Sequence, residues 1–182
     1  LRPADANEAA EAWRVIMQLR DRPACLVLSR QKLPTIDRAN HGAAKGVARG
    51  AYVLADPANG RPQVILVATG SEVALALEAH EKLATTSILS RVVSMPSWEL
   101  FDMQDETYRD SVLSPDIEAR VSVEAASTIG WERYVGRRGA RIGMESFGAS
   151  APAADVYKKF GITVEAVMRA ARAQIERARG SS

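Results

Sequence analysis

The sequence predicts an α/β fold built on a largely parallel sheet. Two observations carry this prediction. Short β-branched runs alternate with amphipathic stretches along most of the chain, the pattern of strands joined by helical crossovers. One run, "QVILVAT", is continuously apolar, as a strand covered on both faces must be. The composition agrees: 182 residues, 47% hydrophobic and 25% charged, normal for a globular chain.

Taken in order, "ADANEAAEAWRVIMQLR" opens with a helix start. Asp5 can cap, and Glu8 can reach back three residues in a capping box. Ala9, Ala12, Trp13, Ile16 and Met17 recur at helical spacing and predict one apolar face. After the turn "DRP", the run "ACLVLS" reads as a short strand, with Cys25 a buried small hydrophobe. "RQKLPTIDRANHGAAKGVARG" is polar, broken by Pro34, Gly42, Gly46 and Gly50, and reads as a long connection between domains. Then come a strand "AYVLAD", a turn "DPANGRP", the strand "QVILVAT" and a helix over 72–83. The strand "SRVVSM", short helices in "SWELFDMQDETYRDSVL", the strand "ARVSVEA", a short helix "GWERYVG" and the strand "ARIGMES" follow. "APAADVYKKFG" and "TVEAVMRAARAQIERA" close the chain as helices. The last of these places Val164, Val167, Met168, Ala171 and Ile175 on one face.

Several function classes are disfavoured by composition. The net charge is +2, from 24 basic and 22 acidic residues, so no global field draws nucleic acid. Arg169, Arg172, Arg177 and Arg179 near the end read as a solvated helix face. No apolar run has the length of a membrane span, and no secretory leader pattern precedes the first helix. The single cysteine cannot form an internal disulfide, and two histidines cannot complete a normal zinc set with it. A reducing, cytoplasmic setting is expected. The chain opens on Leu1 rather than methionine, which suggests a fragment or a processed product.

The turn "VATGSEV" resembles the opening of a nucleotide site, with an apolar strand, Gly70 and then a helix. It has one glycine where a dinucleotide fingerprint needs three, and no Gly-Lys-Ser/Thr follows. Thr69 and Glu72 have capping-box spacing, so they are expected to satisfy each other's backbone donors and leave none for a phosphate. Arg30, in "LSRQKLP", ends a predicted strand, where ligands of open α/β sheets collect, and its planar fork suits phosphate or carboxylate. A surface arginine closing a loop fits that spacing equally well. Glu124 also ends a strand, but no histidine or second carboxylate stands near it, which favours a structural hydrogen bond over acid–base work. His41 and His80 lack any triad or metal context and are expected at the solvated surface. The serines of "SFGASAP" (146–152) have no neighbouring base and no nucleophile elbow, so a turn capping the next helix is expected. Trp98 and Trp131 are read as packing or interface groups. The residues themselves therefore nominate no catalytic, cofactor-binding or metal-binding group.

The segments "RPADANE", "LVLSRQKLP", "ILVATGSEV", "RVVSMPSWELFD", "VEA", "ERYVG" and "IGMESFGASAPA" followed by "FGIT", in that order, resemble the C-terminal portion of transketolase. "SMPSWELFDMQ" and "SFGASAP" are its specific motifs; "ATGSEV" alone is weak. The resemblance implies that residues 1–36 are the last helix and strand of a middle, pyrimidine-binding domain. A linker over 37–50 and a C-terminal domain over 51–182 would follow, and the resemblance implies that this domain is a three-layer, mixed and mostly parallel sheet with helices on both faces.

Transketolase moves a two-carbon ketol unit from a ketose phosphate to an aldose phosphate, using thiamine diphosphate and magnesium in a homodimer. The family's cofactor, metal and catalytic motifs do not match any segment of this sequence. By itself the chain is therefore expected to be inactive, serving the fold and the dimer. One residue carries over: Arg30, in the family's "SRQ" segment, as a contact to the substrate phosphate. Lys32 stands where relatives often have asparagine and adds a charge near the expected channel mouth. Partners implied are the remaining transketolase domains, a second subunit and sugar phosphates, with no nucleic acid and no membrane. Alternatives are a related thiamine diphosphate enzyme, such as deoxyxylulose phosphate synthase or dihydroxyacetone synthase, or a stand-alone ligand-binding or interaction domain.

Overall fold

A computed structural model describes residues 1–180. Its centre is a five-stranded sheet in the order β1-β3-β2-β4-β5, formed by β1 (Tyr52–Ala55), β2 (Val64–Ala68), β3 (Ser90–Ser94), β4 (Arg120–Ser127) and β5 (Ala140–Met144). β2 pairs in parallel with β3 and β4, and β4 with β5, while β1 runs antiparallel along β3 at the edge. The largely parallel sheet expected from the alternating pattern is present, and the antiparallel edge strand gives it the mixed character that the resemblance implies.

β2 shows why. Every residue of this central strand is buried. Side chains alternate across a strand, so Val64, Leu66 and Ala68 enter one apolar cluster while Ile65 and Val67 enter another. The first cluster receives Val73, Ala76, Ala79 and Leu83 from α2 (Glu72–Ala84) and Val164, Val167, Ala171 and Ile175 from α7 (Val164–Arg179). The second receives Phe101 from α3 (Trp98–Asp102), Val112 from α4 (Glu106–Val112) and Tyr134 from α5 (Glu132–Val135), with Trp131 just before α5. α6 (Ala153–Lys159) lies between β5 and α7 in the chain. Thr163 caps α7 by accepting from the Ala166 N–H at 3.2 Å.

The first part of the chain departs from expectation in three places. α1 (Ala6–Gln18) is capped by Asp5, which accepts from the Glu8 N–H at 2.8 Å. Glu8 does not return to Asp5, however; its carboxylate accepts from the Ala4 N–H at 2.8 Å and from the hydroxyls of Tyr52 and Ser94, both at 2.6 Å. The expected apolar face is only partly covered: Ala12 is buried and Ala9 and Ile16 half-buried, whereas Trp13 is 54% exposed and Met17 66%.

The run "ACLVLS" is extended but forms no strand. Its recorded backbone ties are the Leu1 ammonium donating to the Cys25 carbonyl at 2.6 Å and the Val27 N–H donating to the Leu1 carbonyl at 2.9 Å. Cys25 is exposed rather than buried. β propensity makes an extended segment, but a strand also needs a neighbour to accept its hydrogen bonds.

The connection after residue 36 is not featureless. It contains a 3-10 helix, Ala44–Arg49, that buries Val47 and ends at Gly50. Gly50 has φ +83, and a Cβ there would stand 2.1 Å from the Phe101 nitrogen. Only glycine permits that approach.

Candidate functional site: an arginine-lined cleft beside the turn after β2

The turn after β2 is closed by a side chain far away in sequence. Arg2 is anchored by its backbone: its N–H donates to the Pro96 carbonyl at 2.8 Å and its carbonyl accepts from the Gly70 N–H at 3.0 Å. Its guanidinium donates to the Thr69 carbonyl at 2.8 Å and to the Glu72 carboxylate, and lies 3.7 Å from Glu124. Gly70 has φ +58, and a Cβ there would meet the Arg2 side chain at 2.8 Å. Glycine is thus required twice, for the left-handed turn and for the arginine lying on it.

The expected Thr69–Glu72 capping box is not formed. The Thr69 hydroxyl donates to the Arg2 carbonyl at 3.3 Å. Glu72, fully buried, accepts from the Ala125 N–H at 2.8 Å, from the Ser71 hydroxyl at 2.6 Å, from the Tyr157 hydroxyl and from Arg2. α2 starts at Ser71 without a side-chain cap. In place of that box, an internal carboxylate–guanidinium pair, Glu72 with Arg2, closes the turn.

Around this network lies a cleft of about 580 Å³. Its walls come from three parts of the chain: the extended segment with Val27, Leu28 and Arg30, the turn with Ser71, and the loop and helix after β5 with Tyr157. Burial and the neighbouring Glu72 push the Tyr157 hydroxyl up to about 12, so it remains a proton donor at neutral pH. Arg30 is exposed on the rim and makes no hydrogen bond or ion pair to another described residue. It is set where the carboxyl ends of β2 and β5 open, the ligand-collecting edge of such sheets. Lys32 is likewise exposed.

Other candidates fall outside this chemistry. Glu124 accepts from the Trp131 indole N–H at 2.8 Å, the structural role expected of it, and burial raises its pKa. Trp131 is buried and packs edge-on to Trp98, with ring centroids 5.1 Å apart. His41 is half-buried, with Nδ1 2.8 Å from the Asp37 carbonyl oxygen. His80 is also half-buried rather than solvated, its Nδ1 2.9 Å from the Ser90 hydroxyl, and burial lowers its pKa. The 146–152 loop is exposed and α6 begins at Pro152 without a side-chain cap, so the loop's serines do not cap the helix as expected. Instead Ala149 and Ala151 help wall the cleft. Sequence reasoning missed the contribution of Arg2, Ser71 and Tyr157 because they meet only in three dimensions. Among the described residues no group of three or more His, Cys, Asp or Glu could hold a metal ion.

Known proteins identify this architecture. The family described as Transketolase-like TK C-terminal domain matches residues 50–163. The transketolase of Geobacillus stearothermophilus is 46% identical over 95% of this chain and 26% of its own length. Transketolase-1, chloroplastic, of Arabidopsis thaliana is 51% identical over 94% of this chain and 23% of its own. Among solved structures, transketolase from Leishmania mexicana superposes with a TM-score of 0.87 at 44% identity, covering 97% of this chain and 25% of that one. This chain spans about a quarter of the length of these relatives. It belongs to the transketolase family, of which it represents the C-terminal portion.

Proposed function

We propose that this chain works as part of an intact transketolase, a transferase that moves a two-carbon ketol unit between a ketose phosphate and an aldose phosphate, and that Arg30 grips the substrate phosphate. The observation that supports the role of Arg30 is its position: an exposed guanidinium, unpaired with any described residue, on the rim of a 580 Å³ cleft. A planar fork binds a phosphate dianion bidentately. Lys32 adds positive charge nearby and would steer anions toward the rim.

In the intact enzyme the carbanion chemistry belongs to thiamine diphosphate held with magnesium. This chain's residues do not fit that group. Magnesium needs converging oxygen ligands, which the described residues do not assemble, and the turn after β2 is occupied by Arg2 and Glu72. The chain's part is recognition and support. The division of residues 1–36, 37–50 and 51–182 into the end of a middle domain, a linker and a C-terminal domain belongs to the same reading. So does inactivity of the chain alone. The exposed Trp13, Met17, Val27 and Leu28 support burial against other transketolase domains or a second subunit of a homodimer. A cytoplasmic setting is proposed on the single cysteine.

In the intact enzyme, Arg30→Ala should raise KM for phosphorylated donors and acceptors while leaving thiamine diphosphate affinity unchanged. Unaltered kinetics with both classes of substrate would remove the phosphate role.

A further inference from the structure

Arg30 is carried by an extended segment that pairs with no strand. Among the described residues, the backbone hydrogen bonds of residues 24–30 both fall on Leu1. Its carbonyl accepts from the Val27 N–H at 2.9 Å, and its nitrogen donates to the Cys25 carbonyl at 2.6 Å. Leu1 and Leu26 also pack against the first apolar cluster. Where Arg30 sits therefore depends on what holds Leu1. The next residue is Arg2. Its backbone is tied to Gly70 after β2 and to Pro96 after β3, and its guanidinium reaches the Thr69 carbonyl and the Glu72 carboxylate.

We propose that Glu72 is a positioning residue for ketol transfer: through Arg2 and Leu1 it sets where Arg30 meets the substrate phosphate. This role rests on the phosphate contact proposed for Arg30, and it gives the sheet domain a share in substrate recognition.

The surroundings of Glu72 suit the task. Its carboxylate is fully buried and is oriented by the Ser71 hydroxyl at 2.6 Å, the Ala125 N–H of β4 at 2.8 Å and the Tyr157 hydroxyl of α6. A charge-assisted bond from a guanidinium to a carboxylate held in this way is strong and directional. Arg2 and Arg30 line the same cleft, together with Ser71 and Tyr157, but they differ in charge balance. Glu72 neutralises Arg2, whereas Arg30 has no described partner, so an entering dianion is directed to Arg30. A bidentate contact tolerates little displacement. A shift of about 1 Å in a group that positions substrate can cost about a hundredfold in rate, and an unpaired extended segment is a poor support unless another group fixes it.

The test uses the intact enzyme saturated with cofactor and donor. The acceptors are glyceraldehyde 3-phosphate and glyceraldehyde, an aldose with and without its phosphate. Glu72→Gln keeps the side chain's shape and removes the charge that holds Arg2. It should raise KM for glyceraldehyde 3-phosphate by about fivefold or more and shift KM for glyceraldehyde by less than about twofold. Arg2→Ala should show the same split. Arg2→Lys keeps the cation at a partly exposed site, so it should recover part of the loss, and it keeps the test readable should another variant fail to fold. In an Arg30→Ala background, Glu72→Gln should add less than about twofold, because the group it positions is gone. A loss confined to kcat, equal KM rises with both acceptors, or full additivity with Arg30→Ala would make Glu72 a purely structural group and overturn this role. If Arg30→Ala alone leaves KM for glyceraldehyde 3-phosphate unchanged, the phosphate contact falls and the positioning role with it. If Arg30→Ala raises that KM while Glu72→Gln and Arg2→Lys do not, the positioning role alone falls.

Discussion

Arg2 and Glu72 form an ion pair across seventy residues of sequence, and the carboxylate lies fully out of solvent. The pair joins the start of the chain to the first turn of α2, and through Tyr157 and Ala125 it also reaches α6 and β4. Removing one member of a buried pair strands the other and its hydrogen-bond donors. Glu72→Ala is therefore expected to cost about 3–5 kcal/mol, read from the urea midpoint of the chain. Arg2 is partly exposed and water can replace some of its contacts, so Arg2→Ala should cost less. Equal and small losses for the two variants would show that the pair is not a structural centre.

Gly70→Ala tests the same network from the backbone. The substitution would force an L-residue into the left-handed region at φ +58 and press its Cβ against the Arg2 side chain at 2.8 Å. Strain of this kind costs about 1–3 kcal/mol. Part of it comes from displacing Arg2, so the effect should shrink when Arg2 is already alanine. A double-mutant cycle that came out additive would mean that the arginine yields without cost.

How much of this was legible follows from distance along the chain. β2, α2 and α7 could be read because the pattern that forms each lies within a few residues. The capping spacing of Thr69 and Glu72 was equally local, yet a long-range cation outcompeted it. A buried carboxylate gains more from a guanidinium and two hydroxyls than from a neighbouring N–H alone. "ACLVLS" had the composition of a strand but lacks a paired neighbour in the structure, and composition cannot report a neighbour. Arg30 could be found because it ends an extended run, whereas Ser71 and Tyr157 carry no motif that foretells a shared cleft.

Glu8 predicts a pH dependence. Burial raises its pKa above 4.5, against the lowering effects of Ser94, Tyr52, Ala4 and Arg38. The folded state thus holds this proton to higher pH than the unfolded chain. Its contribution is fully present below about 4.5 and is lost as pH rises through the folded value. Glu8→Gln keeps the shape without the titration. The stability of the original chain relative to that variant should therefore fall as pH rises from the unfolded value, and then level off. A relative stability that climbed over the same range would reverse the sign and refute burial as the dominant cause.

His80 gives the opposite case. Burial lowers its pKa below 6.5, so the unfolded chain takes up a proton first as the solution is acidified. Its contribution is present above about 6.5 and lost as pH falls through the folded value. His80→Gln should flatten stability in that window while retaining a group able to bond the Ser90 hydroxyl. Urea titrations at pH 7 and at successively lower pH check this, and an unchanged slope would return the histidine to the solvated surface.

Trp131 joins the second core to the end of β4. The indole packs against Trp98 and Tyr134, with ring centroids 5.1 and 6.0 Å away, while its N–H satisfies the half-buried Glu124 carboxylate at 2.8 Å. The two roles separate by substitution. Trp131→Phe keeps an aromatic ring but leaves the carboxylate short of a donor, for about 1–3 kcal/mol. Trp131→Ala also empties the ring cluster and should cost about 3–5 kcal/mol. If Glu124 is first changed to glutamine, a neutral group that tolerates the missing donor better, the penalty for phenylalanine should fall while that for alanine stays high. Equal penalties in both backgrounds would show that packing alone holds Trp131, and Glu124 would then lose the structural role assigned to it.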